Sequence, residues 1–180
     1  MDRARDSGSR GWRFESSQTR NFWRGKDSRQ GRLNMKFEFS AGGIVYKKED
    51  SKIYILVSQH SQHLGWVFPK GLIGDKDHIK GEKKEKTAVR EVKEETGAEA
   101  EIVKQIIPVT YWYVWEGEKR KKTVYYFIMK YVGGDITKHD YEMSAVEWLP
   151  DNEVLDRLTY KSDKDAFKEA LPLIRRLAKS

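Results

Sequence analysis

The sequence contains no cysteine. That excludes disulfides, thiolate catalysis and cysteine-ligated zinc, and it fits a cytoplasmic protein. It also lacks any run approaching the ~20 apolar residues that cross a bilayer, so a transmembrane reading is excluded. No apolar segment follows the basic N-terminus, which argues against a secretory signal. Acidic excess is missing too: 35 Lys and Arg face 28 Asp and Glu, a net charge of +7. A basic chain favours polyanionic partners such as nucleotides, nucleic acid or inositol phosphates. At 180 residues with 38% hydrophobic side chains, the chain suits one compact domain.

The charge is uneven. Residues 1–34 hold nine Arg and Lys against four acids, from Asp2 to Asp27. They show no helical or strand period and few aliphatic side chains, so we read them as a disordered basic tail or leader. Trp12, Phe14, Phe22 and Trp23 among arginines suit stacking on single-stranded RNA bases, and the alternative is a leader without function. The globular domain is expected over residues 35–180.

Within it, Lys36–Lys47 and Lys52–Gln59 read as a strand hairpin with turn residues Lys48 to Ser51 between them. Ile102–Trp115 and Lys121–Val132 read as a second, long hairpin. Met143–Leu149 is a strand stopped by Pro150. Lys83–Thr96 is expected to be a helix with Ala88, Val89 and Val92 as its apolar stripe and Gly97 at its C-cap. Asp163–Ala178 is an amphipathic helix that Pro172 is expected to bend. Strands mixed with two or three helices imply an α+β or α/β/α class.

The first of these helices carries the chemistry. Glu91, Glu94 and Glu95 fall within about 100° of one helix face. Like charges at this spacing repel. They also sit near the negative end of the helix dipole. A divalent cation reverses both penalties, and carboxylate oxygens suit Mg²⁺ or Mn²⁺. Against this stands the plainer reading of a solvated acidic face.

Longer-range spacing decides between them. Gly71, then Glu82, then seven residues, then Arg90-Glu91-Val92-Lys93-Glu94-Glu95-Thr96-Gly97-Ala98 resembles the Nudix box. From Glu82 to Ala98 every defined position matches. One departure lies upstream: ten residues separate Gly71 from Glu82, where the family usually has five. Asp75, Asp77 and His78 lie in that insertion, which we read as a solvated loop. The Trp66-Val67-Phe68-Pro69-Lys70-Gly71 segment and the surrounding strands resemble the same family.

The resemblance implies an α/β/α sandwich with a mixed, partly open sheet, and hydrolysis of a nucleoside diphosphate linked to another group. It implies that Glu91, Glu94 and Glu95 hold Mg²⁺, that Arg90 orients them, and that Glu82 either supports those ligands from behind or contacts the metal as well. The general base is Glu91 in some members and a glutamate outside the box in others; Glu142 is the choice here over Glu147. The Phe-Pro-Lys-Gly and Lys-Thr-Val-Tyr-Tyr-Phe segments look like the diadenosine polyphosphate and diphosphoinositol polyphosphate branch. Lys70, Lys122 and Tyr126 are then the expected phosphate contacts, the last two sharing one strand face. The preferred reading is a diadenosine polyphosphate hydrolase. The alternatives are an RNA 5′-pyrophosphohydrolase, an ADP-ribose or diphosphoinositol phosphate hydrolase, and a binding module that senses nucleotides without cleaving them. Such a module would lack the glutamates that this sequence retains. Tyr111, Tyr113 and Trp115 share a strand face and are candidate base-stacking residues, whereas Trp66 and Trp148 read as packing.

Overall fold

A computed structural model describes residues 35–74 and 81–179. The N-terminal segment, with its four aromatics, and Asp75, Asp77 and His78 of the insertion lie outside the described residues.

Strand β1 (Lys36–Glu49) is the axis of the sheet. It turns into β2 (Lys52–His60) through Asp50 and Ser51, both at positive φ. A two-residue turn of that kind matches the strands' own twist. After β3 (Trp66–Val67) and β4 (Lys70–Leu72) comes α1 (Lys84–Thr96). Gly97 closes α1 in the left-handed region at φ 69°, its N–H donating to the Lys93 carbonyl. A side chain at Gly97 would also strike the Asp135 carbonyl.

The expected second hairpin forms with a difference. Its first arm is two strands, β5 (Ala98–Gln105) and β6 (Val109–Trp115). Both pair antiparallel with β7 (Glu118–Gly134), β6 beside its first half and β5 beside its second. Pro108 falls in the break, where a residue without an N–H cannot serve the ladder. β8 (Met143–Pro150) pairs with β2, and α2 (Val154–Arg157) and α3 (Lys161–Leu177) complete the chain. α3 runs through Pro172 to Leu177.

β1 runs parallel to β7, with Ser40 opposite Val124 and Ile44 opposite Ile128, while the other pairings are antiparallel. On its other edge β1 changes partner, from β4 at Ser40–Gly42 to β2 at Tyr46–Glu49. Alternation along these strands divides the core in two. Val45, Leu56, Phe127 and Met129 pack under α1. Ile44, Ile55, Tyr126, Ile128 and Phe68 pack under α3 through Phe167, Ala170 and Ile174. The result is an α/β/α sandwich on a mixed sheet. Helix α1 lies close to β1 because Gly43 has no side chain: a Cβ there would stand 2.5 Å from Val92 Cγ2. Val89, expected on the apolar stripe, is exposed; Thr87 and Thr96 are buried instead beside Ala88 and Val92.

Candidate active site

The C-terminal half of α1 presents its acids toward β4 and the loop before β8. Arg90 is their organiser. Its Nε and Nη2 donate to the two Glu82 oxygens at 3.2 and 3.1 Å. Its Nη1 lies 2.7 Å from Glu91 Oε1 and 2.9 Å from Glu94 Oε2. The Glu82 side chain is only 5% exposed and also accepts from the Thr87 hydroxyl, so both its oxygens are engaged by Arg90 and Thr87. Those bonds hold the Glu82 carboxyl below its usual range.

Glu91 rests against Gly71. A Cβ on Gly71 would lie 2.1 Å from the Glu91 carboxylate carbon, so the missing side chain is the cradle for that carboxylate. Glu95 is buried and accepts the Lys70 backbone N–H at 3.1 Å. Burial pushes Glu91 above the usual carboxylate range and Glu95 well above it, with neighbouring carboxylates adding to the effect. Two adjacent acids whose ionisation burial disfavours make a site that favours added positive charge.

Glu142 reaches the same place by a different route. The Glu94 carbonyl at the end of α1 accepts from Asp140 N–H, Asp140 accepts Glu142 N–H, and the Glu142 carbonyl accepts Ser61 N–H. These three bonds seat the loop between α1 and the β2–β3 turn. Glu147, by contrast, pairs with Arg157 at 2.8 Å on the surface.

Beside the acids opens a cavity of about 290 Å³. Its lining brings together Glu95 and Glu142, Lys70, Lys122 and Asp163, and the β6 aromatics Tyr111, Tyr113 and Trp115. Trp112 points to the opposite face, as strand alternation requires. Lys122 is mostly enclosed. Burial and the Lys70 ammonium lower its pKa, while Glu38, Glu95 and Asp163 counter them. Tyr126 lies elsewhere. It is 1% exposed in the α3-side core and gives its hydroxyl to Asp163 at 2.8 Å, beneath the cavity rather than in its lining.

Asp163 is the residue that sequence reasoning passed over. It sits in the first turn of α3, is 1% exposed, and accepts from Tyr126 and from the Phe68 N–H. Its Oδ1 lies 3.6 Å from Lys70 Nζ, which also donates to the Phe68 carbonyl. In the sequence it reads as an ordinary helix-start acid, and only the packing of α3 on the Phe68–Pro69–Lys70 segment reveals its partners. Glu38 was missed likewise. It takes the Tyr113 hydroxyl and an Arg120 N–H, and so steadies the aromatic wall.

His60 and His63 stack at 4.2 Å and line the cavity mouth. His63 Nδ1 accepts from Gly65 N–H and meets the Tyr160 hydroxyl at 2.8 Å, which places the ring proton on Nε2. Burial, with His60 and Lys70 nearby, lowers the His63 pKa from 6.5 to about 4. Between those two values the unfolded chain binds the extra proton and the folded chain does not. Stability therefore falls as pH drops from 6.5 to 4. The expected result is a urea midpoint that declines over this window and declines less in His63→Gln. Parallel declines in both proteins would show that His63 is not the cause.

Among the described residues, no three His, Asp or Glu side chains are closed into a metal cluster. The donor set nevertheless fits a hard divalent ion. It consists of carboxylate oxygens, and a cation, the Arg90 guanidinium, already bridges Glu91 and Glu94. No helix among the described residues is long and apolar enough to cross a membrane.

Known proteins resemble this chain over most of its length. The NUDIX domain family model matches residues 36–171. A protein named putative mutator protein MutT4 from Mycobacterium tuberculosis is 33% identical over 163 residues, which cover 86% of this chain. The chain spans 63% of that relative's length. An RNA pyrophosphohydrolase of Pelagibacter ubique is 28% identical over 72% of this chain and 90% of its own. Among solved structures, a C. elegans Ap4A hydrolase in a binary complex superposes with a TM-score of 0.58. It is 25% identical, over 76% of this chain and 97% of that one.

Proposed function

The chain belongs to the Nudix family, and from that premise we propose that it is a Mg²⁺-dependent diphosphohydrolase that cleaves a phosphoanhydride bond in a diadenosine polyphosphate. The observation that carries this reading is the adjacency of three parts: the carboxylate end of α1, the Lys70–Lys122 pair and the β6 aromatic wall. A dinucleoside polyphosphate has a matching sequence of parts, a scissile phosphate, a run of further phosphates and a base. The resemblance to an Ap4A hydrolase points the same way.

In this reading Glu91, Glu94 and Glu95 hold Mg²⁺, with Mn²⁺ a substitute, and Arg90 keeps Glu91 and Glu94 oriented. The ion, once bound, neutralises phosphate charge and acidifies water. Glu82 acts through Arg90. Lys70 and Lys122 draw the polyphosphate into the cavity and stabilise charge on the leaving phosphate. Asp163 aims the Lys70 ammonium, and Tyr126 fixes Asp163. Glu142 takes the proton of the attacking water. A new P–O bond to that water forms as the bridging P–O bond breaks. The products are two phosphate-ended nucleotides, and no covalent enzyme intermediate is needed. A cytoplasmic location accords with the cysteine-free composition.

The test is a substrate panel with Mg²⁺ and product analysis: diadenosine tetraphosphate, ADP-ribose, 5′-triphosphate RNA and a diphosphoinositol phosphate. Diadenosine tetraphosphate is expected to give the highest kcat/KM. Lys122→Ala is expected to raise KM for the tetraphosphate about 10-fold or more, the worth of a charge-assisted hydrogen bond, and less for shorter substrates. Equal effects on all substrates would remove Lys122 from the distal phosphates. The second reading, RNA 5′-pyrophosphate removal, is favoured by the Pelagibacter relative. A panel led by triphosphate RNA would establish it instead.

A further inference from the structure

Helix α1 covers only part of its side of the sheet. It packs on Ala41 and Val45 of β1 and on Phe127 and Met129 of β7. Toward the start of β1 no helix among the described residues covers that side. Alternation places Phe37 and Phe39 of β1 there, with Lys119 and Lys121 of β7 and Trp112 and Val114 of β6. The register sets Phe37, Lys121 and Trp112 in one row across three strands. Phe37 is 58% exposed, Phe39 50% and Trp112 50%. Lys121 Nζ lies 5.5 Å over the Trp112 ring. The cavity lies on the opposite side, where Tyr111, Tyr113 and Lys122 point.

A cluster of exposed aromatics on a small domain calls for a partner. Its chemistry is specific here. Aromatic faces alternate with ammonium groups, and the intervening positions of this side are Thr110 and Thr123, so among the described residues of these strands no carboxylate stands on it. A second copy docked about a two-fold axis would set lysines against lysines. A polyanion with flat apolar faces suits the surface instead, and the ammonium groups of Lys119 and Lys121 on this side draw it in. Unpaired bases stack on such rings and phosphates meet such lysines. We propose that this β1–β7–β6 face binds single-stranded nucleic acid, with Phe37, Phe39 and Trp112 as stacking surfaces and Lys119 and Lys121 as phosphate contacts. The inference stands apart from the reading of the cavity.

The experiment uses the full chain and a short single-stranded RNA with a 5′-hydroxyl and a 3′-fluorophore, followed by anisotropy over a range of salt. Trp112→Ala is expected to weaken binding about 10-fold, and Phe37→Ala with Phe39→Ala at least as much. Lys121→Gln is expected to lower the salt slope by about 0.7, one phosphate contact on a single strand. Turnover of diadenosine tetraphosphate stays at the wild-type value in all of them. Should the aromatic variants fail to fold by circular dichroism, Lys119→Gln and Lys121→Gln carry the test. Unchanged RNA affinity and salt slope in the folded variants would overturn the proposal. So would equal affinity for a duplex of the same sequence, or a dimer seen by sedimentation that Trp112→Ala dissociates.

Discussion

Glu95→Gln is expected to lower turnover about a thousandfold while the fold persists. The number follows from the role. Loss of an ion-holding carboxylate removes several kcal/mol of charge stabilisation from the transition state. Each ~1.4 kcal/mol is tenfold in rate. The fold persists because the change is nearly isosteric and the amide oxygen still accepts the Lys70 N–H that Glu95 accepts now. Glutamine also removes a buried acid whose charge burial disfavours, so stability holds or rises slightly. Turnover and thermal melting measured together give the answer. A protein that melts like the wild type and turns over within a few-fold of it would mean that Glu95 is a core acid and nothing more.

Gly71→Ala is expected to cost about 100-fold in kcat with little loss of stability. The new methyl group would lie 2.1 Å from the Glu91 carboxylate carbon, too close to coexist with it. The nearest atoms are the end of a side chain rather than backbone, so Glu91 swings aside and the strand stays. A displacement of about 1 Å at a positioning group is enough for a loss of that size. Gly42→Ala makes the contrast. There the added Cβ would meet the Pro69 carbonyl at 2.2 Å, and backbone has to move. Gly71→Ala should therefore fail in activity and Gly42→Ala in its urea midpoint. A Gly71→Ala protein with wild-type kcat would show that the Glu91 carboxylate does not need its present place.

The box was readable because it is local. Glu91, Glu94 and Glu95 share a helix face by periodicity alone, and Gly97 marks the helix end by its conformational freedom. The two hairpins were readable for the same reason, although their turns are tighter than expected, at Asp50–Ser51 and Glu116–Gly117, because the flanking residues join the strands. What stayed hidden depends on contacts between distant segments. Asp163 reaches the Phe68 N–H across 95 positions and Glu38 reaches Arg120 across 82. No pattern in the chain announces such a pair. Tyr126 shows the limit of alternation: the strand period put it on the Lys122 side correctly, yet that side passes from cavity to core between the two residues. The β5–β6 break is marked in the sequence by Pro108, which interrupts the Ile102–Trp115 run.

The proposed hydrolysis depends on a divalent ion held by the acids of α1, and a metal titration of turnover tests that dependence most directly. Protein stripped with a chelator and supplied with diadenosine tetraphosphate should be inactive, then recover along a saturating curve as Mg²⁺ is added. With Glu95→Gln the curve should shift to much higher Mg²⁺ and reach a far lower plateau. Full turnover in the presence of chelator, or identical Mg²⁺ curves for the two proteins, would contradict it.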